Sequence, residues 1–194
     1  SDFNDDISNW DMSNVTSLYR MFKGASSFNQ DLSSWDVSSA TTVKEMFWWA
    51  VAFDGDISGW NTSSLTDMTF MFSGASSFTG GDLSNWDVSN VINMRHMFRG
   101  ASNFNGDISN WNVGSVGNME RMFNATIFNQ DISGWNVSNV GDMSYMFYNA
   151  ESFNQDLSNW VVSSVTDMGW MFTHASSFNQ DISNWDVSSV EDMF

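Results

Sequence analysis

Aspartate is the residue type whose placement in this chain most invites chemistry. Asp6, Asp31, Asp56, Asp82, Asp107, Asp131, Asp156 and Asp181 hold one place in a recurring phrase, of which FNQDLSSWDVSSA at 28–40 and FNQDISNWDVSSV at 178–190 are two copies. Copies stacked as parallel strands would bring these carboxylates within about 5 Å of one another. Like charges that close oppose folding unless something offsets them. Two offsets are open. Each carboxylate can accept hydrogen bonds from the backbone of its own turn, or from the Asn and Gln just before it, as Asx turns do. Alternatively, a line of Ca²⁺ ions can bridge neighbouring copies, since hard cations take several oxygen ligands. Calcium-binding repeats generally supply two or more oxygen side chains per turn together with glycines. This unit has one invariant carboxylate and few glycines. The expectation is turn-holding, with Ca²⁺ on this column as the alternative and no other metal or cofactor implied.

A second polar ladder runs through Asp11, Asp36, Asn61, Asp87, Asn112, Asn136, Val161 and Asp186, flanked by Ser13, Ser38, Ser63 and Ser89. A solvated face is the plain expectation for it, and a carbohydrate or ion surface the sharper one; stacked Asn side chains can also bond along such a ladder. Catalytic groups are otherwise missing. There is no cysteine, His96 and His174 fall at different places in the phrase, and serine never stands beside a plausible base. Carboxylate pairs could be picked from any copy equally, whereas an active site is singular, so the chain is expected not to be an enzyme. Sequons at Asn14, Asn61, Asn124 and Asn136 permit N-glycosylation, at a frequency close to chance.

These side chains need a scaffold, and the spacing of tryptophan defines it. Trp10, Trp35, Trp60, Trp86, Trp111, Trp135, Trp160 and Trp185 are separated by 25, 25, 26, 25, 24, 25 and 25 residues. A fixed period in this range predicts a solenoid, in which no unit buries its apolar face alone and stacking creates the core. Residues 1–194 read as a single repeat array with no linker or second domain, a segment of a longer array because both ends fall in mid-repeat. In the unit 3–27, Ile7-x-x-Trp10-x-Met12 ends in the alternation of a short strand. From Val15 the apolar residues Leu18, Met21, Phe22 and Ala25 follow at helical spacing. Ser64 or Ser164 would cap that helix, Asp67 or Asp167 would favour its first turn, and Gly24, Gly74 and Gly100 would end it. The core is Trp, Met and Phe, a spine of rings and pliable thioethers.

The unit F-N-Q-D-I-S-x-W-D-V-S-x-V-x-x-M-x-x-M-F-x-x-A-S-S resembles the roughly 25-residue repeats of BspA-like leucine-rich repeat surface proteins, with I-S-x-W-x-V on the L-x-x-L-x-L strand signature. The resemblance covers almost the whole chain. It implies an α/β solenoid of about eight coils, short parallel strands on one side and short helices on the other, extracellular and associated with adhesion. In one respect the unit departs from that pattern. The asparagine-ladder place holds Val15, Val91 and Val140, so Asn14, Asn90 and Asn139 would have to replace the missing amides.

The places that vary between copies carry every basic residue, Arg20, Lys23, Lys44, Arg95, Arg99 and Arg121, and the surplus aromatics Trp48, Trp49, Phe70, Tyr145, Tyr148 and Trp170. Such a face is either ordinary solvent surface or a contact with another molecule. The net charge of -17 argues against nucleic-acid and anionic-membrane partners, and no apolar run approaches a membrane span. Two roles follow. One is a non-enzymatic extracellular scaffold that adheres or assembles into fibres or layers, with further repeats, a second copy, a host or matrix protein or a glycan as partner. The other is a calcium- or glycan-binding module that uses the acidic ladders.

Overall fold

Each copy of the repeat closes through a succession of tight turns. In the computed structural model, which describes residues 2–194, the first coil is tied by bonds between residues three apart. Trp10 donates to Ile7 (3.1 Å), Val15 to Met12 (2.9 Å), Met21 to Leu18 (3.2 Å), Ala25 to Phe22 (3.0 Å) and Phe28 to Ala25 (3.1 Å). Later coils repeat this set. Each of the first seven coils also carries two residues with left-handed backbone, four apart, as in Arg20 and Gly24, Glu45 and Trp49, Phe70 and Gly74, or Arg121 and Ala125.

The expected α/β architecture is therefore overturned. Among the described residues there is no helix, and β-structure is confined to isolated parallel bridges, Ser17 to Thr42, Thr42 to Asp67, and onward to Asp192. The physical reason lies in the direction of the amides. A helix would send the Phe22 N–H back to Leu18, but it donates to Met46 of the next coil (2.9 Å), flanked by Arg20 to Lys44 (3.1 Å) and Gly24 to Trp48 (2.7 Å). A left-handed residue inside the stretch breaks helical propagation and turns alternate N–H groups toward the neighbouring coil. The stretch assigned to a strand, Ile7 to Met12, is likewise a turn joined to an Asx turn. Ser64, Asp67 and their counterparts cap no helix; Asp67 is a bridge residue.

The stacked coils enclose a dry core of aromatic rows. Phe22, Phe47, Phe72, Phe98, Phe123 and Phe147 form one row, and Phe28, Phe53, Phe78, Phe104, Phe128 and Phe153 another. Within a coil the two rings stack closely, for example Phe98 on Phe104 at 3.7 Å. Between coils the separation widens, as in Phe72 to Phe98 at 5.7 Å. The tryptophans make a third row, Trp86 on Trp111 at 6.2 Å. Each indole of this row from Trp35 to Trp185 also donates its Nε1–H to a carbonyl of the preceding coil, Trp111 to Leu83 at 3.0 Å, so the buried N–H is satisfied. Trp111 is 3% exposed, whereas Trp10, stacked on Trp35 alone, is 51% exposed.

An asparagine ladder exists, but two turns ahead of the expected place, at Asn4 and its counterparts in place of Val15 and its counterparts. The Asn29 N–H donates to Asn4 Oδ1 (2.8 Å), Asp54 to Asn29 (2.7 Å), Asn154 to Asn129 (2.9 Å) and Asn179 to Asn154 (2.9 Å). It uses the Asn of the Phe-Asn pair. Two of the expected substitutes also bridge coils, Asn90 to the Ser63 carbonyl (2.9 Å) and Asn139 to that of Gly114 (2.6 Å).

Candidate functional site

Every aspartate of the first column holds its own turn. Oδ1 of Asp6, Asp31, Asp56, Asp82, Asp107, Asp131, Asp156 and Asp181 accepts the N–H of the serine two residues on, at 2.8 to 3.1 Å. These bonds favour the ionised form. The Ser133 N–H, then its hydroxyl, hold the Asp131 carboxyl below the ordinary carboxylate value, and the same order applies to Asp107 with Ser109. Asp82 and Asp131 push Asp107 the other way, as smaller effects than the serine bonds. Repulsion along the column is thus outweighed locally. The second ladder works alike: Asp11, Asp36, Asn61, Asp87, Asn112, Asn136 and Asp186 accept the N–H two residues on, and Val161 interrupts the row. Among the described residues no group of three or more His, Cys, Asp or Glu is placed to hold a metal ion.

A third column runs through Asp67 and Asp167, the residues expected to favour the first turn of a helix. Ser17, Thr42, Asp67, Asn93, Asn118, Asp142, Asp167 and Asp192 are the bridge residues, and each side chain accepts the N–H two residues on, Asp67 from Thr69 at 2.9 Å. The available signal was chemical type: Ser, Thr, Asn and Asp are the residues that make such turns. Helical spacing concealed it.

The variable face is a column of pairs between neighbouring coils. Arg20 and Lys23 both bind Glu45, at 2.6 and 3.0 Å. Burial raises the Glu45 carboxyl, but these two cations outweigh it and hold it below its ordinary value. Lys23 also lies 3.6 Å over the Trp48 ring, and Trp48 packs on Phe70 at 5.0 Å. Phe70 stacks on His96 at 4.2 Å. His96 is buried, and desolvation, partly offset by Glu120 at 3.2 Å, lowers its pKa to about 4. Glu120 gathers Arg95, His96 and Arg121. Farther on, Arg121 lies over Tyr145 at 4.2 Å, and Tyr145 meets Tyr148 and Trp170 at 5.6 and 6.2 Å. Five of the six singled-out aromatics are therefore engaged within the chain. Trp49 stands apart at 57% exposed, its ring against Gly74, while Trp170 keeps 43% exposure. Asn14, Asn61 and Asn136 are exposed; Asn124 is half-buried, and the Thr126 of its sequon is buried with its hydroxyl bonded to the Phe123 carbonyl (2.8 Å).

Three overlapping segments, 1–81, 66–172 and 135–194, match the family model described as "Mycoplasma protein of unknown function, DUF285", so the match spans the chain. No curated protein matches it. Among the described residues no helix is long and apolar enough to cross a membrane.

Proposed function

We propose, from the premise that this chain belongs to the DUF285 family of mycoplasma proteins, that it is a non-enzymatic extracellular scaffold that adheres or assembles at a cell surface. One observation carries this: the repeated polar side chains are committed to the turns and to the next coil. Aspartate oxygens cap their own turns, Asn bonds the Asn above, and indoles bond the coil below. A stack held together by its own repeats needs that use, whereas a reaction centre needs groups left free. The likeness of the unit to BspA-like surface repeats supports the location. Each coil both donates to and accepts from its neighbour, Phe22 N–H to Met46 one way and Thr41 N–H to Thr16 the other. Its two edges are therefore complementary, and further repeats or a second copy are the partners it fits most directly, in head-to-tail fashion.

The competing role is a calcium module on the aspartate column, and melting separates the two. Thermal unfolding in EDTA and in excess Ca²⁺ should give midpoints that agree within error. A loss of many degrees on chelation would establish a metal-bound native state and overturn the scaffold. Surface labelling of intact cells that make the protein tests the location; labelling only after lysis would reject it.

A further inference from the structure

We propose that the recess between Trp49 and Arg99 binds a carboxylated sugar, with the ring face on the indole and the carboxylate on the guanidinium. The inference deepens the adhesive reading and rests on it for its biological use, while the binding is a property of the isolated chain. The recess has a volume of about 160 Å³, with Trp49, Ser73, Gly74, Arg99, Gly100 and Asn124 in its lining.

Its floor is glycine backbone. Gly74 and Gly100 occupy the second left-handed place of their coils, at φ 74° and 69°. A Cβ on Gly74 would stand 2.8 Å from the Trp49 ring, so the indole lies directly on that glycine. A Cβ on Gly100 would meet only Gly74 backbone at 3.8 Å, which leaves the space above it open. Trp49 itself sits where other coils place Gly24, Gly74, Gly100, Ala125, Asn149 and His174, mostly smaller residues or ones that left-handed backbone tolerates. A tryptophan there is strained, stays more than half exposed, and stacks on no other aromatic among the described residues.

Charge selects the ligand class. Arg20 and Lys23 share Glu45, while Arg95 and Arg121 share Glu120. Arg99 has no carboxylate partner among the described residues, in a chain of net charge -17. Arg95 and Arg99 both lie close enough to His96 to act on its charge, and Glu120 is already paired with Arg95. The half-buried Asn124 amide makes no side-chain hydrogen bond among the described residues, which leaves it for ring hydroxyls. An apolar ring face, several hydroxyls and one carboxylate together describe an acidic pyranose.

The test is calorimetric titration of the intact chain with sodium glucuronate, against glucose and sodium acetate, supported by ligand-observed NMR. Glucuronate should saturate, and both controls should bind at least about tenfold more weakly, as expected for removing a charge-assisted contact or the ring. Arg99→Gln should bring glucuronate to the level of glucose. Trp49→Gly should abolish binding of both sugars without lowering the melting temperature, and Trp49→Asn, the residue type present at 149, gives a second well-folded variant. Absence of saturation, acetate binding as well as glucuronate, or undiminished binding by both Trp49 variants overturns the site. Those outcomes leave the EDTA melt, and hence the scaffold reading, unaffected.

Discussion

A single oxygen per turn is what the aspartate column contributes, and the second ladder shows how little else the position requires. There Asn61, Asn112 and Asn136 make the same bond as Asp11 and Asp36. Asp131→Asn should therefore leave the urea midpoint nearly unchanged, while Asp131→Ala, which orphans the Ser133 N–H, should cost about 0.5–1.5 kcal/mol. If Asn is as damaging as Ala, the charge itself matters and turn-holding is insufficient. The pH dependence follows from the direction of the shifts. Asp6, Asp31, Asp82, Asp107, Asp131, Asp156 and Asp181 titrate below the ordinary value of 3.8 in the folded chain. A depressed folded pKa adds stability above the unfolded value and loses it as pH falls through the folded one. The aspartates should thus lower the melting temperature only below about pH 4. His96, buried with its pKa lowered from 6.5 to about 4, should add a separate loss as pH falls below about 6.5. His96→Phe should remove that part, and a decline near neutrality that persists in this variant would point to other groups.

At the scale of the coil, the left-handed places separate backbone cost from packing. Gly24 has φ 69° and open space around a would-be Cβ, so Gly24→Ala tests conformation alone. It should destabilise by about 1 kcal/mol. Ala125 sits at φ 56° in the corresponding place of a later coil, and Ala125→Gly should raise stability by a similar amount, offset in part by the greater freedom of glycine in the unfolded chain. Urea unfolding of the two variants checks the signs. Equal and small effects in both would mean that inter-coil hydrogen bonds, and not the left-handed residues, set the shape of the turn run.

Across the whole array, each coil meets only its neighbours, so damage should stay local before it spreads. Trp111 is buried, stacked on Trp86 and bonded to Leu83. Trp111→Ala should cost about 3–5 kcal/mol and divide unfolding into two phases, with the coils on either side melting separately. Calorimetry that retained one cooperative transition would show coupling beyond nearest neighbours. Trp10→Ala should be milder, because that indole is already half exposed. Along the variable column, Arg20 to Glu45, Phe70 to His96 and Arg121 to Tyr145 are different pairings at equivalent places, a means of distinguishing coils whose cores are nearly the same.

The period, the Trp, Phe and Met core and the turn role of the first aspartate column were all legible in the residues, because each depends on pattern within a single copy. The stretch Val15 to Ala25 was not. Apolar residues at that spacing suit a helix, but a run of turns places the same side chains inward, and local pattern cannot tell the two apart. What decides between them is the destination of the Phe22 N–H, and that acceptor is Met46, 24 residues away. The asparagine ladder, the bridge column and the partners of Trp48, Phe70 and Tyr145 are likewise contacts between coils. They came into view only with the stacking, since no single coil contains both members of such a pair.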